Sequence, residues 1–249
     1  MESCLKQDLS LSEKFPILVK MKDARVELVE SFFNGTGHSY DRVVRFGTLG
    51  IDSYWKRRML RRVPRATSIL DLACGTGILT FALARHHRHA RIVGVDITDD
   101  YLHVARRKAQ ALDAKIDFIH ANAETVKLHQ TFDCIASSYL PKYVDANLLL
   151  QNISPALRPG GVIVLHDFLY PRHSLARAIW HGYNRILNFT GSRLFPEWKV
   201  VFDNNLTDLI VRSNWLAEFS EAFRQHGYQD IRIERLTFGS AAIISAKKG

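Results

Sequence analysis

Two glycines and one aspartate are the residues of this sequence best placed to bind a cofactor. Gly75 and Gly77 form a G-x-G turn between an apolar run that ends at Leu72 and a helical pattern that begins at Ile78. Glycine lets the backbone approach a ligand closely, and a helix N-terminus presents free N–H groups to it. About twenty residues further on, Asp96 ends a second apolar run, where a carboxylate can accept hydrogen bonds from both ribose hydroxyls. This spacing predicts a nucleotide-type cofactor across the ends of two parallel strands.

The residues of the glycine turn narrow the class of cofactor. A dinucleotide site needs G-x-G-x-x-G, but Thr80 occupies the third glycine position, and the sequence has no Gly-Lys-Ser/Thr of a P-loop. Asp71 precedes the turn, and an acidic residue there is typical of S-adenosylmethionine (SAM) methyltransferases, which this segment resembles. Taken alone, the turn is also compatible with a plain strand-to-helix connection that binds no ligand. Asp71 either touches the cofactor or orders the glycine loop through backbone N–H groups.

Further apolar runs alternate with helical spacers and predict an α/β fold with a parallel sheet. The runs cover residues 116–120, 132–138 and 162–167. A sheet of this kind binds ligands at the carboxyl ends of its strands. Asn122 and Ser138 lie at or just beyond two of these ends, as Asp96 does, so we expect them along one edge of the sheet.

Five segments of the chain resemble the ubiquinone/menaquinone C-methyltransferases of the UbiE type. These segments are residues 32–41, 49–56, 71–77, 121–124 and 236–242. The resemblance implies a Rossmann-like class I SAM-dependent methyltransferase fold, with a seven-stranded, mostly parallel sheet, flanking helices and a helical cover. It implies SAM as the cofactor and a prenylated quinol as the methyl acceptor. The turn pattern and the resemblance together predict these cofactor contacts: Tyr40, Asp71, Gly75, Thr76, Gly77, Asp96, Ile97, Asn122, Ala123 and Ser138.

The sequence departs from the family pattern mainly on the acceptor side. Asp52 stands where a histidine is usual, and Cys74 stands where glycine is more frequent. Residues 139–144 replace the usual Phe-Gly-x-Arg-Asn stretch. The sequence therefore leaves two classes of acceptor. One is a hydrophobic quinol that is methylated on carbon, and the other is a phospholipid amine or another lipid. Two further functions stay open, a methyltransferase-like protein without catalysis and a nicotinamide oxidoreductase, the latter disfavoured by the missing third glycine.

Four residues after the fourth and fifth strands are candidates for acid–base chemistry at the acceptor. Tyr139, Tyr143, His166 and Asp167 follow strands whose carboxyl ends line the cofactor, so we expect them to face the transferred methyl group. The His166 imidazole is the first choice for the base, because it titrates near neutral pH. The alternative is that His166 only orders the loop after the fifth strand. No cysteine or histidine spacing predicts a metal site.

The charge of the chain indicates anionic partners. Its 249 residues carry a net charge of +9, and no nucleic-acid-binding module appears, so nucleic acid is not expected. Arg172, Arg177, Arg185 and the cluster 56–62 predict peripheral contact with an anionic membrane, unless they form an ordinary solvated face. No apolar run is long enough to span a bilayer. We expect a cytoplasmic protein that can visit the inner membrane face, and the oligomeric state is unspecified.

The pattern runs without a linker and predicts one domain over residues 1–249. Its parts are a helical cover at about 12–65, a SAM-binding core at about 66–167, an acceptor-covering helical segment at about 168–228 and a closing strand pair at about 229–249. The polar residues 1–10 are expected to fray. The aromatic content of the third part predicts an apolar acceptor cavity. The aromatic residues are Phe168, Tyr170, Trp180, Tyr183, Phe189, Phe195 and Trp198.

Overall fold

The computed structural model describes the backbone of residues 16–249 and the side chains of residues 24–203 and 205–249. The predicted fraying of residues 1–10 and the start of the predicted cover at residue 12 lie outside the described residues.

The described residues form a seven-stranded sheet with the order β3-β2-β1-β4-β5-β7-β6. The first five strands run parallel, and β7 is antiparallel to both of its neighbours. This confirms the predicted Rossmann-like α/β fold and its closing strand pair. The strands are β1 Ser68–Leu72, β2 Arg91–Asp96, β3 Ile116–His120, β4 Phe132–Ser138, β5 Leu157–Phe168, β6 Gln229–Leu236 and β7 Ala241–Lys247.

The fifth strand is longer than the sequence predicts. It begins at Leu157, before the apolar run predicted at 162–167, and it includes Gly160 and Gly161. The C-terminus of the chain accounts for the difference, because the Gly160 N–H donates to the Lys248 carbonyl and the Lys248 N–H donates to the Gly161 carbonyl, at 3.0 and 2.8 Å. Pairing with a strand that is distant in sequence therefore extends β5.

Helices cover both faces of the sheet and its carboxyl edge. The sequence pattern does not predict the short helix α2, because a helix of 8 residues shows little periodicity. The longest described helix, α7, runs over 21 residues to Leu194 within the segment predicted to cover the acceptor. The helices are α1 Pro16–Phe33, α2 Tyr40–Gly47, α3 Asp52–Leu60, α4 Ile78–His86, α5 Asp99–Ala111, α6 Ala146–Ile153, α7 Ser174–Leu194, α8 Leu206–Arg212 and α9 Trp215–Gln225.

The core lies on both faces of the sheet, because successive strand residues point to opposite sides. Leu70 packs on one face with Phe219 of α9, whereas Ile69 packs on the other face with Met59 of α3. Each fully buried side chain of this kind contributes roughly 1.5–3 kcal/mol. The sheet is thus held rigidly between helices, and its carboxyl edge is a fixed platform for the site.

Candidate functional site

The glycine turn and Asp96 form one hydrogen-bonded unit at the carboxyl edge of the sheet. The Gly75 N–H donates to Asp96 Oδ2 at 2.7 Å, and the Thr98 N–H donates to Asp96 Oδ1 at 2.8 Å. Gly75 and Gly77 have φ values of 56° and 90°, which favour glycine. A Cβ on Gly77 would also lie 2.5 Å from the ring of Phe81. The loop therefore requires both glycines and holds the carboxylate in one orientation.

The Asp96 carboxylate keeps acceptor capacity for a ligand. Each of its two oxygens uses one lone pair on a backbone N–H, and a carboxylate offers about four such sites. Burial raises the pKa of Asp96 above its ordinary value, and the Thr98 and Gly75 N–H groups oppose that rise. Hydroxyl donors of a ligand would satisfy the remaining lone pairs and compensate for the lost solvation.

A cavity of about 100 Å³ opens beside this carboxylate. Asn122 is fixed there, because its Oδ1 accepts the Glu124 N–H at 2.8 Å. The lining brings together seven of the ten predicted cofactor contacts. They are Tyr40, Gly75, Asp96, Ile97, Asn122, Ala123 and Ser138.

The other three predicted contacts shape the glycine loop from behind the lining. Asp71 Oδ2 accepts the Thr80 hydroxyl at 2.6 Å, and burial raises the pKa of Asp71 to about 7. Asp71 thus bonds a side chain of α4, not the backbone N–H groups of the loop. Thr76 is buried and donates its hydroxyl to Asp41 Oδ1 at 2.5 Å. Gly77 supplies the left-handed turn into α4.

Helix α1 covers the small cavity. Arg25 donates to Glu124 Oε1 at 3.1 Å, and Val26, Val29 and Phe33 belong to the lining. Small-molecule sites usually enclose roughly 300–1,000 Å³, more than the volume under this cover. A nucleoside-sized ligand must therefore displace some of these side chains when it binds.

A second cavity, of about 950 Å³, adjoins the first and has mainly apolar walls. It lies between α2, α3, the turn after β4 and α7, where the sequence predicts an acceptor cavity. Phe168, Trp180, Tyr183 and Trp198 line it. The lining, as far as the structure describes the chain, does not include the other three predicted aromatic residues. They are Tyr170, Phe189 and Phe195.

Four aromatic side chains belong to the linings of both cavities and form the boundary between them. They are Phe33, Tyr40, Tyr139 and Tyr143. A group bound in the small cavity can therefore meet a molecule bound in the large one only at these rings. Two of the residues predicted to face the transferred methyl group, Tyr139 and Tyr143, lie at this boundary.

A buried polar network lies directly behind the boundary. Asp52 Oδ1 accepts the Lys56 ammonium at 2.7 Å and the Tyr139 hydroxyl at 2.5 Å. Lys56 Nζ also donates to Ser138 Oγ at 2.6 Å, and this oxygen lies 2.9 Å from His166 Nδ1. The sequence pattern places Lys56 only in the basic cluster expected at a membrane, and it marks Asp52 only as a departure from the family pattern. Their i,i+4 spacing indicates an ion pair on a helix but gives no sign that the pair is buried.

His166 and Asp167 lie behind the cavity walls. Within the described chain, the linings of the two cavities include neither residue. The His166 ring is fully buried against Trp55 and Tyr139, at 5.3 and 5.2 Å between ring centroids. Burial, together with Lys56 and Lys142, holds the pKa of His166 well below its ordinary value, so the imidazole is neutral.

Asp167 forms a buried ion pair with Lys142. Lys142 Nζ donates to Asp167 Oδ1 at 2.8 Å, and the Lys142 N–H donates to Oδ2 at 3.0 Å. Lys142 Nζ also donates to the Tyr139 carbonyl at 2.8 Å. Asp167 therefore acts on the boundary through Lys142, which holds the backbone of Tyr139.

Only part of the basic cluster at 56–62, which the sequence predicts to contact a membrane, is exposed: Arg57 and Arg61 face solvent. Lys56 is buried in the network described above, and its side chain bonds Asp52. Arg58 and Arg62 bond Glu234 of β6 at 2.6 and 2.9 Å. Because α3 packs against the sheet, these three basic side chains form ion pairs within the protein. Helical spacing in the sequence does not reveal such pairing.

Neither a metal site nor a membrane span is found in the described part of the chain. Among the side chains that the structure describes, no group of three or more His, Cys, Asp or Glu is placed to hold a metal ion. Of the described helices, none combines the length and the apolar character that crossing a bilayer requires.

Comparison with known proteins relates the sequence of this chain to one family. A family model described as the ubiE/COQ5 methyltransferase family matches residues 18–248. A demethylmenaquinone methyltransferase of Thermus thermophilus is 29% identical over 221 residues, which cover 85% of this chain and 97% of that protein. The ubiquinone/menaquinone biosynthesis C-methyltransferase UbiE of Blochmanniella pennsylvanica is 28% identical over 239 residues, covering 91% and 92%.

The fold is also similar to that of a solved methyltransferase structure. Geranyl diphosphate C-methyltransferase from Streptomyces coelicolor, solved with Mg²⁺, geranyl diphosphate and S-adenosyl-L-homocysteine, has a TM-score of 0.58 at 14% identity. The similarity covers 80% of this chain and 79% of that chain. At this identity, the likeness concerns the fold alone.

Proposed function

Because this chain belongs to the ubiE/COQ5 methyltransferase family and is a SAM-dependent methyltransferase, we propose that it methylates a ring carbon of a prenylated quinol. One observation carries the proposal. The apolar cavity of about 950 Å³ is large enough for an aromatic ring with part of an isoprenoid chain, and it meets the small cavity at Tyr139 and Tyr143. The names of the relatives from Thermus thermophilus and Blochmanniella pennsylvanica support the same class of acceptor.

The small cavity presents the groups that would bind the nucleoside part of SAM once some side chains of its cover have moved. In the proposed complex, Asp96 accepts the ribose hydroxyls, while Ile97, Asn122 and Ala123 border the adenine. Bound SAM supplies an electrophilic methyl group on a sulfonium centre. The chain aligns the acceptor with that group and excludes water, which is the main task in an in-line displacement. The aromatic boundary serves this purpose, because its rings separate the reacting groups from solvent.

The acceptor class can be tested with labelled SAM and three acceptors. We expect label in a reduced, demethylated prenyl quinol, and no label in its oxidised quinone or in phosphatidylethanolamine. The reduced ring is the only one of the three with an electron-rich carbon activated by a hydroxyl. Label in the phospholipid amine would replace the proposed function by the lipid alternative.

We further propose that the mouth of the large cavity contacts an anionic membrane. The rim carries exposed apolar side chains, including Phe238, which is 90% exposed, and Ile179. Arg172 and Arg235 belong to the same rim. An apolar surface edged by arginines suits a bilayer interface with anionic headgroups, and it would let a prenylated acceptor enter the cavity from the lipid.

We expect Arg172→Ala and Arg177→Ala each to weaken binding to anionic vesicles by about 1 kcal/mol, the contribution of one basic side chain near such a surface. Co-sedimentation with liposomes measures the change in binding. Added salt should weaken the binding further, because it screens the attraction. Arg91→Ala is the matched control, because Arg91 is exposed in β2 and pairs with Asp117. Equal binding to neutral and anionic vesicles would contradict the proposal.

A further inference from the structure

Tyr139 lines both cavities, and its hydroxyl donates to the buried carboxylate of Asp52. We infer that Tyr139 and Asp52 form a proton relay, in which Tyr139 takes the proton of the acceptor hydroxyl and passes its own proton to Asp52. Lys56 is a positioning residue that fixes the carboxylate. This inference rests on the proposed function, because it requires an acceptor that carries a hydroxyl group.

The backbone at Tyr139 is held in a conformation that non-glycine residues rarely adopt. Its φ is 72°, and such strain persists only where surrounding contacts impose it. The Tyr139 N–H donates to the His166 carbonyl, and the Tyr139 carbonyl accepts Lys142 Nζ, both at 2.8 Å. The chain thus uses β5 and the buried Lys142 ion pair to aim this side chain at the boundary.

The ring of Tyr139 is fixed as firmly as its backbone. The Phe168 ring stacks on it at 4.8 Å with an interplanar angle of 19°, and Lys56 Nζ lies 4.2 Å from its centroid. A ring fixed in this way places its hydroxyl at one point of the boundary. Preorganised geometry of this kind is what proton transfer to a bound molecule requires.

Charged and titratable groups surround Tyr139 on every side. Asp52 accepts its hydroxyl at 2.5 Å and also binds Lys56 at 2.7 Å. Burial first, and then Asp52, raises the pKa of Tyr139 well above its ordinary value, so a free phenolate does not form. The phenol can therefore accept a proton only if it gives its own proton to Asp52 in the same step. The remaining groups that face Tyr139 are Tyr40, Lys142, His166 and Asp167.

The step balances in protons and electrons. As the acceptor O–H bond breaks, its proton forms a new bond to Tyr139 Oη, while the former Tyr139 proton bonds to Asp52 Oδ1. The electron pair left on the acceptor oxygen is delocalised onto the ring carbon, which bonds the methyl group while the carbon–sulfur pair stays on sulfur. The ring hydrogen then leaves as a proton to water, and the Asp52 proton returns through Tyr139 to the acceptor oxygen.

His166 is less suited to this role, although it is the first choice from the sequence. Its Nδ1 is 2.9 Å from Ser138 Oγ, and Lys56 already donates to that oxygen. The Ser138 hydroxyl is thus free to donate to Nδ1, which leaves the proton of a neutral imidazole on the buried Nε2. We assign His166 to positioning Tyr139 through its backbone carbonyl.

The relay is tested with Tyr139→Phe, Asp52→Asn and the matched control Tyr228→Phe. Tyr228 is also buried and hydrogen-bonded, to Ser154 at 2.7 Å, but it lies outside both cavity linings of the described chain. The first readout omits SAM and follows the visible absorbance of a bound nitronaphthol against pH. We expect the bound naphthol to ionise at lower pH in the wild type and the control than in Tyr139→Phe.

The second readout is turnover with the reduced quinol. Tyr139→Phe and Asp52→Asn should lower kcat by about a hundredfold or more with unchanged SAM affinity, the usual scale for loss of a positioned proton acceptor. The loss in Tyr139→Phe should shrink with acceptors whose hydroxyl is more acidic. Tyr139→Phe removes a single oxygen atom, so it decides the question even if Asp52→Asn does not fold.

Two outcomes separate this inference from the proposed function. If the wild type methylates the quinol, and Tyr139→Phe keeps its kcat and its naphthol titration, the relay is overturned and the function stands. If the wild type methylates no hydroxylated aromatic compound and the naphthol titration does not depend on Tyr139, both are overturned.

Discussion

Lys142→Met is expected to destabilise the fold by about 3–5 kcal/mol, because removing one partner of a buried ion pair leaves an uncompensated charge. The Lys142 and Asp167 side chains are 2% and 0% exposed, and their closest atoms lie 2.8 Å apart. Asp167 also accepts the backbone N–H groups of Lys142 and Phe168, so its carboxylate cannot turn towards solvent. Urea unfolding of the wild type and the variant, followed by circular dichroism, measures the difference.

The matched control for this prediction is Lys199→Met. Lys199 pairs with Asp203 on the surface, where the two side chains are 65% and 48% exposed. Exposed pairs are worth only about 0–1 kcal/mol, so the control should stay close to the wild type. A loss below about 1 kcal/mol in Lys142→Met would mean that the buried pair is not needed for stability. Because Lys142 also holds the Tyr139 carbonyl, the variant should lose activity even where it remains folded.

Most of the predicted cofactor contacts line the small cavity, because they depend on local sequence patterns. Apolar runs fix the strands, the glycine turn fixes the entry into α4, and the carboxyl ends of parallel strands meet at one edge. Asp96, Asn122 and Ser138 therefore come together as expected. Asp71 and Thr76 lie outside the lining of this cavity, where their side chains bond Thr80 and Asp41.

The acceptor half could not be read from local patterns. His166 and Asp167 are consecutive residues of β5, and consecutive strand residues point to opposite faces. The two side chains therefore bond different partners, Ser138 and Lys142. The Asp52–Lys56 pair becomes a buried partner of Tyr139 only through the packing of α3 onto the sheet. Tertiary contacts of this kind, between residues 82 to 87 positions apart, leave no periodic signal in the sequence.

Asp96→Ala is expected to weaken SAM binding by about 1.5–3 kcal/mol, the scale of hydrogen bonds to a charged group. That loss corresponds to an affinity about 10- to 150-fold lower. The physical reason is that Asp96 offers the unused lone pairs of a carboxylate that Gly75 and Thr98 hold in place. Isothermal titration calorimetry with SAM measures the change directly, without an acceptor.

Asp96→Asn and Asp117→Ala separate the possible causes of such a loss. Asn keeps the shape of the side chain, but its amide nitrogen can accept neither a backbone N–H nor a ribose hydroxyl, so it should lose most of the affinity. Asp117 is an exposed residue of the neighbouring strand β3, and its removal should leave binding unchanged. If Asp96→Ala binds SAM as tightly as the wild type while its unfolding curve is unaltered, the ribose contact must lie elsewhere in the small cavity. If affinity and stability fall together in Asp96→Ala, direct contact is supported only when Asp96→Asn loses affinity while its unfolding curve is unaltered. The reason is that the same carboxylate also fixes the glycine loop.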